Sequence, residues 1–425
     1  MQTLYSHFLT STGICTDTRK IEKGNLFFAL KGPNFNGNQY AEMALKKGAA
    51  FAIVDEQIYA KDERYILVED ALTTLQKLAN YHRKQLNIPV IGIAGSNGKT
   101  TTKELMYAVL SQKYKTFATK GNLNNHIGVP LTLLSIDKTI EMAILELGAN
   151  HVGELELLCQ IAEPNYGIIT NNGLDHLEGY GSFEGVVQGN SELYYWLLKN
   201  NGTPFVNSTD EVLVRMASRF KSTITYGNEN DFFNAKIFTN EFFIQLKTDE
   251  DIAIQTQLIG EYNLDNINAA LCIGKFFEVD SKDAAKAIEE YLPANNRSQL
   301  LQKGTNSIVL DCYNANPSSM QKSVESFSKL KASNKILMLG DMFELGDYSA
   351  SEHQKMVEFC ENLGFETVYF CGEAFSNCKL KITTYQLFPN RTELETHLSI
   401  HKPENTSILI KGSRGMTMEK LVDYL

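Results

Sequence analysis

The chain has few features that would point to a secreted, metal-clustered or membrane-bound protein. Its seven cysteines, Cys15, Cys159, Cys272, Cys312, Cys360, Cys371 and Cys378, are scattered, odd in number and never spaced as Cys-x-x-Cys. Neither a disulfide framework nor a zinc cluster is expected, and isolated thiols fit a reducing cytoplasm. No apolar run approaches the ~20 residues needed to span a bilayer. Residues 1–10 carry no basic start and no long apolar core, so no signal peptide is expected. There is no excess of basic charge. Forty Lys and Arg against fifty Asp and Glu leave a formal net charge of −10. This argues against a general nucleic-acid or membrane-surface binder, but not against a local basic pocket for phosphates.

The remaining composition is that of a globular protein, 43% hydrophobic and 21% charged over 425 residues. That length suits roughly two to four domains. Short apolar runs alternate with helical patterns, which predicts α/β domains. Three blocks are expected, 1–87, 88–293 and 294–425. The first ends in a helix over Ala71 to Leu86, with Leu72, Leu75, Leu78 and Ala79 on one face. The second opens with a buried strand at Val90–Ala94 and closes with a helix from Ser281 to Leu292, broken by Pro293-Ala294-Asn295-Asn296. Trp196, with Tyr194 and Tyr195, is expected to pack in a core.

Polar residues able to do chemistry recur just after apolar strands. Glu146 follows Met142–Leu145, and Asn171 and His176 follow Tyr166–Thr170. In the third block Asp311 follows Ile308–Leu310, Gly340-Asp341 follows Ile336–Leu339, and Lys411-Gly412-Ser413-Arg414 follows Ser407–Ile410. Open α/β sheets bind ligands at the carboxyl ends of their strands, so two such blocks predict two halves of one site facing across a cleft.

The strongest motif is Gly95-Ser96-Asn97-Gly98-Lys99-Thr100-Thr101, set between the strand at 90–94 and a helix bearing Leu105, Met106, Val109 and Leu110. Small glycines let backbone N–H groups approach phosphate oxygens, and the helix start adds positive potential. Lys99 would neutralise the β- and γ-phosphates of a nucleoside triphosphate, and the Thr100 hydroxyl would hold Mg²⁺. The general pattern places a glycine where Ile93 stands; here the loop is shorter and opens at Gly95. Read alone, Glu146 suits either a structural hydrogen bond or an oxygen ligand for Mg²⁺. Asn263 and Asn266 suit helix capping as well as ligand contact, and Asn314 and Asn316 suit a turn before Pro317.

The shortened loop resembles the ATP loop of the Mur ligases and their folylpolyglutamate synthetase relatives. The likeness continues through Thr16-Asp17-Thr18-Arg19, Gly24-Asn25-Leu26-Phe27-Phe28-Ala29-Leu30, Gly121-Asn122-Leu123-Asn124-Asn125, Glu146-Leu147-Gly148-Ala149-Asn150, His176-Leu177-Glu178 and Gly260-Glu261-Tyr262-Asn263 with Asn266. Asp311-Cys312-Tyr313-Asn314-Ala315-Asn316-Pro317, Gly340-Asp341-Met342, Glu344-Leu345-Gly346 and Lys411-Gly412-Ser413-Arg414 resemble the branch that adds D-alanyl-D-alanine to UDP-N-acetylmuramoyl-tripeptide. The resemblance implies three α/β domains: a small uridine-nucleotide domain, a central P-loop ATPase-like parallel-sheet domain and a C-terminal Rossmann-like domain.

It also implies an ATP- and Mg²⁺-dependent amide ligase that works through an acyl phosphate on small-molecule substrates, in the cytoplasm, as a monomer, with no nucleic-acid or membrane partner. The implied ATP contacts are Gly95, Ser96, Asn97, Gly98, Lys99, Thr100, Thr101, Asn263, Asn266, Arg297 and Asp311. Thr100, Glu146 and His176 are the implied metal ligands. Asp17, Thr18, Arg19, Asn36, Asn124, Asn125, Asn314 and Asn316 are the implied substrate contacts. Lys99, Glu146, His176 and Asn190 are the implied catalytic set.

Three positions depart from the family pattern. Asn36-Gly37 replaces a frequent Asp-Gly, Leu310 replaces an Asp, and Asn190 stands where relatives commonly carry a carbamylated lysine. Asn190 is expected to help hold a second Mg²⁺ with His176. The alternatives are a sibling ligase with a different amine substrate and a P-loop nucleotide switch that makes no product.

Overall fold

The computed structural model describes residues 1–240, 243–293, 296–332 and 334–425. Ala294 and Asn295, within the expected break between the second and third blocks, lie outside the described residues.

The first unit is a parallel sheet in the order Ile14–Cys15, Leu26–Phe28, Phe51–Val54, Tyr65–Leu67. Side chains alternate across a strand. Leu26 and Phe28 therefore turn toward the helix Ala71–Gln85, while Phe27 packs with Ala41, Ala44, Ala52 and Val54 on the other face. Asp70 caps that helix by accepting from Thr73 N at 2.6 Å, and Leu75, Leu78 and Ala79 form its buried stripe.

The same helix is bonded to the middle unit. Arg83 donates to the carbonyls of Ala162 (2.9 Å) and Glu163 (3.0 Å) and to Asn165 Oδ1 (2.9 Å). His82 Nε2 meets the Ile136 carbonyl at 2.9 Å. The helix that precedes the expected boundary at residue 87 thus belongs to both cores.

The middle unit is built on six parallel strands in the order Ile224–Tyr226, Thr203–Asn207, Tyr166–Ile169, Val90–Ala94, Met142–Glu146, Thr116–Ala118. The strand Val90–Ala94 is buried throughout, which explains its unbroken apolar run. Its neighbours on the two sides end at Glu146 and Ile169, in register with Ile93 and Ala94. Three strand ends therefore open onto one crevice. An antiparallel sheet, Ala235–Asn240, Ile244–Thr248 and Ala253–Gln255, shares an apolar core with the helix Asn263–Phe276. The helix Ser281–Glu290 ends two residues before the expected Leu292. Trp196 packs against the core, and its Nε1 donates to the Pro164 carbonyl at 3.2 Å.

The third unit has the strand order Gln299–Lys303, Asn306–Asp311, Ser407–Lys411, Lys335–Gly340, Thr367–Cys371, Gln386–Phe388. The first strand is antiparallel and the others are parallel. Asp311 and Lys411 are paired in register, so both strand ends face the same way. Leu177, Tyr180 and Val186 of the middle unit join one apolar cluster with Ala315, Met320, Met342 and Leu345 of the third. This places the carboxyl ends of the two sheets across a cleft. The expected α/β class and three-part architecture match what is seen. Among the described residues no helix is long and apolar enough to cross a membrane.

Candidate active site between the middle and third units

The phosphate loop depends on two glycines. Gly95 (φ +119°) and Gly98 (φ +81°) occupy backbone conformations that a side chain disfavours. A Cβ on Gly98 would lie 2.6 Å from Asn266 Oδ1. The loop is braced from behind by the end of the strand Tyr166–Ile169. Thr170 Oγ1 and Asn171 Nδ2 donate to the Asn97 carbonyl at 2.7 and 3.0 Å. Ser96 Oγ donates to Asp175 Oδ1 at 2.5 Å and accepts from Gly173 N at 2.8 Å. Gly98 leads into the helix Lys99–Leu110, whose first-turn N–H groups have no intrahelical acceptor. The Lys99 ammonium lies over the loop, donating to the Gly95 and Ser96 carbonyls.

Glu146 is 3% exposed at the end of its strand. Its Oε2 accepts from Thr100 Oγ1 at 2.9 Å and its Oε1 from Asn124 Nδ2 at 2.9 Å, while Lys103 Nζ stands 3.6 Å from Oε2. Asn124 thus holds Glu146 as well as facing the cleft. Asn125 Oδ1 accepts from Gly128 N at 2.9 Å and shapes the helix start at Gly128–Leu133.

Asn263 and Asn266 do not cap their helix. They form a buried relay in which Thr102 Oγ1 donates to Asn266 Oδ1 (3.0 Å), Asn266 Nδ2 to Asn263 Oδ1 (2.8 Å) and Asn263 Nδ2 to the Ile259 carbonyl (2.8 Å). The relay seats the loop. Between the two asparagines, burial pushes the Asp265 carboxyl above its usual range, a rise that Lys322 opposes.

The third unit supplies the facing wall. The Arg297 guanidinium stacks 3.5 Å above the Tyr313 ring. Asp311 accepts from Lys411 Nζ at 2.5 Å, Ser298 N at 3.2 Å and Ser323 Oγ at 3.3 Å. Asn316 caps the helix Pro317–Lys329 by accepting from Ser319 N at 2.8 Å. It also crosses the cleft, donating to Asn97 Oδ1 at 2.9 Å, while Asn97 Nδ2 donates to Ser318 Oγ at 3.0 Å. Asn314 Oδ1 accepts from Ala315 N at 2.9 Å, a contact to the next residue in the chain. His176 (φ +47°) pairs through Nδ1 with Glu344 Oε2 at 2.6 Å. That hydrogen bond holds the Glu344 carboxyl below the usual glutamate range.

These groups line one cavity of about 650 Å³. It gathers Ser96, Asn97, Gly98, Lys99, Thr100, Thr101, Asn124, Asn125, Glu146, His176, Asn263, Asn266, Arg297, Asp311, Asn314 and Asn316. Gly95, which opens the loop, is not on the cavity wall. Asn190 is also off the cavity wall, on the helix Phe183–Lys199, 6% exposed and donating to Asn172 Oδ1 at 2.9 Å. It is therefore neither beside His176 on the wall nor a free surface residue. Asp17, Thr18, Arg19 and Asn36 stay on the first unit. Asp17 is ion-paired with Arg19, whose hydrogen bonds lower its carboxyl to about 2. Asn36 donates to Glu56 Oε1 at 2.8 Å.

Asp175 and Lys322 on the wall, and Lys103 behind Glu146, were not singled out from sequence, whereas Tyr262, Glu344 and Lys411 were quoted there within motifs but given no individual role. The signal for Lys103 was available, since it sits one helical turn after Lys99. Among the described residues no three His, Cys, Asp or Glu side chains converge on a metal position.

Comparison with known proteins agrees with this architecture. Residues 10–91 match the Mur ligase family catalytic domain, 93–274 the Mur ligase middle domain and 296–414 the Mur ligase glutamate ligase domain. The UDP-N-acetylmuramoyl-tripeptide–D-alanyl-D-alanine ligase of Bacillus subtilis is 35% identical, over 97% of this chain and 93% of its own length. The Escherichia coli ligase of the same name is 32% identical, over 98% and 94%. A crystal structure of MurF from Acinetobacter baumannii superposes with a TM-score of 0.88 at 30% identity, covering 99% of this chain and 97% of that one. MurF from Thermotoga maritima in complex with ADP superposes with a TM-score of 0.87 at 26% identity, over 98% and 97%. The chain belongs to the Mur ligase family.

Proposed function

We propose that this chain is the ATP-dependent amide ligase that joins D-alanyl-D-alanine to UDP-N-acetylmuramoyl-tripeptide in peptidoglycan precursor synthesis. The observation that carries the reading is the cleft itself, a braced phosphate loop facing the third-unit turn 311–317, in a chain alike over its whole length to ligases of that name. A sibling ligase or a nucleotide switch without a product is not favoured by those relatives.

An amide made in water needs an activated carboxylate. The tripeptide carboxylate accepts the γ-phosphoryl group as an acyl phosphate, and the dipeptide amine displaces phosphate from it. Phosphoryl transfer is mostly positioning and charge neutralisation. Lys99 and the first-turn N–H groups of its helix take the phosphates, and the Asn263–Asn266 relay holds the loop at its height. Arg297, kept flat by Tyr313, and Asp311 reach the nucleotide from the third unit.

The Thr100 hydroxyl and Glu146 carboxylate adjoin at the loop, an oxygen pair that fits Mg²⁺ completed by phosphate oxygens and water. When bound there, Mg²⁺ would neutralise developing phosphate charge. His176 remains the candidate for a second cation; Asn190, bonded to Asn172, lies off the wall. Asn124, Asn125 and the Asp17, Thr18, Arg19 and Asn36 region are assigned to the UDP-muramoyl substrate, and Asn314 and Asn316 to the dipeptide. Drawing the third unit onto the loop through Asn316 and Asn97 excludes water from the acyl phosphate.

The test is to incubate purified protein with ATP, Mg²⁺, a panel of UDP-muramoyl peptides and a panel of amines, and to read products by mass. The expected product is the pentapeptide nucleotide, with ADP and phosphate released only when both acceptor and dipeptide are present. AMP with pyrophosphate, or ADP release that needs neither substrate, would sink the reading.

A further inference from the structure

Lys103 has no assigned task in the reaction, yet it is buried at its centre. It lies on the helix Lys99–Leu110, is 4% exposed, and its ammonium stands 3.6 Å from Glu146 Oε2. Glu146 already accepts hydrogen bonds from Thr100 and Asn124. Burying an ammonium is costly, and an ion pair at this distance offsets that cost poorly. The side chain therefore has a weak structural justification and a pronounced electrostatic consequence. It places a fixed positive charge beside the carboxylate that adjoins Thr100.

We propose that Lys103 is a positioning residue that sets the cation affinity of the phosphate site. This rests on the reading of Thr100 and Glu146 as oxygen ligands of a divalent cation. The Lys103 charge balances Glu146 when no nucleotide is bound. It also opposes entry of a bare divalent cation, because like charges a few ångströms apart repel strongly in a poorly solvated site. A triphosphate brings enough negative charge to outweigh the ammonium. The cation therefore enters with the nucleotide rather than ahead of it, and the loop stays open to its substrate.

Mn²⁺ binding to the full-length, nucleotide-free protein, followed by electron paramagnetic resonance, tests this alongside thermal unfolding. The parent should bind Mn²⁺ weakly. Lys103→Met should bind it on the order of 100-fold more tightly, and any stability it loses in metal-free buffer should be restored by Mn²⁺ alone. Lys103→Gln, which keeps a hydrogen-bonding group near Glu146, should show the same gain, and Lys103→Arg should behave as the parent does. Unchanged Mn²⁺ affinity in the Met and Gln variants, or a stability loss that Mn²⁺ does not restore, would overturn the proposal in favour of a purely structural pair.

Mn²⁺ binding in the presence of ADP, compared between the parent and Glu146→Gln, separates the two levels of the argument. If Glu146→Gln leaves nucleotide-dependent binding intact, the ligand assignment fails and the proposal fails with it. If Glu146→Gln weakens that binding while Lys103→Met matches the parent without nucleotide, only the role of Lys103 fails.

Discussion

At the scale of single residues, the cleft separates side chains that hold the fold from side chains that face the ligand. Lys99 bonds only loop carbonyls, so its removal deletes a charge without opening a core. Lys99→Ala is expected to keep a cooperative thermal transition near the parent's and to lose ~100-fold or more in ligase rate. A fully active variant in an ADP-release assay would reject the phosphate-loop assignment. Asn190 is the converse case. Its amide cannot be carbamylated, so activity is expected to be independent of added bicarbonate. It is buried against Asn172, and Asn190→Ala is expected to cost about 1 kcal/mol in urea unfolding through the lost hydrogen bond. A raised Mg²⁺ requirement without that loss would instead place Asn190 at a cation.

At the scale of elements, the third unit shows how a turn that faces the cleft is held by a core histidine. His353 is fully buried on the helix Ser349–Leu363. Its Nε2 accepts from Met342 N at 3.0 Å and its Nδ1 meets the Ser349 carbonyl at 2.7 Å, the pattern of a neutral ring. Burial lowers its pKa below the usual 6.5, outweighing the raising effects of the Ser349 carbonyl, Asp341 and Glu352. His82 is lowered in the same way, by burial that outweighs the raising effect of its hydrogen bond to the Ile136 carbonyl. The folded state therefore binds fewer protons than the unfolded chain. The stability these rings contribute is complete above about pH 6.5 and is lost as the pH falls below it. Urea midpoints are expected to drop between pH 7 and 5.5, with a shallower slope in His353→Gln; an unchanged slope would exclude the ring as a source.

The long buried strands of these elements were legible in the sequence as continuous apolar runs, Val90–Ala94 to the residue. The antiparallel sheet from Ala235 to Gln255 was not read, because its short strands carry mixed patterns whose inner face is defined only by the helix Asn263–Phe276 beneath them.

At the scale of the whole molecule, the middle and third units meet through an apolar cluster and a polar seam. Leu177 and Tyr180 sit with Met342 and Leu345 in the cluster. Glu178 N donates to the Glu344 carbonyl at 3.1 Å beside the His176–Glu344 pair. Glu344→Gln removes the charge from the seam and leaves both cores untouched. Solution scattering without nucleotide is expected to show a larger radius of gyration for this variant than for the parent, at an unchanged melting temperature. Identical scattering would mean that the Glu344 charge does not set the arrangement of the units.

The sequence by itself determined the local pieces: the strand–loop–helix at 90–110, the carboxylate at the end of 142–146, the three-part α/β order and the family to which these motifs belong. Contiguous residues carry that information, because backbone conformation and apolar periodicity are local. The tertiary structure decided which pieces meet. Ser96 finds Asp175, 79 positions away, and Asn97 finds Asn316, 219 positions away. Lys103 reaches Glu146, and Asn190 turns to Asn172 instead of the cleft. Those contacts depend on how the strands are ordered in each sheet and how the two sheets are set against one another. Both follow from the burial of apolar faces far apart in sequence, which no single stretch of the chain encodes.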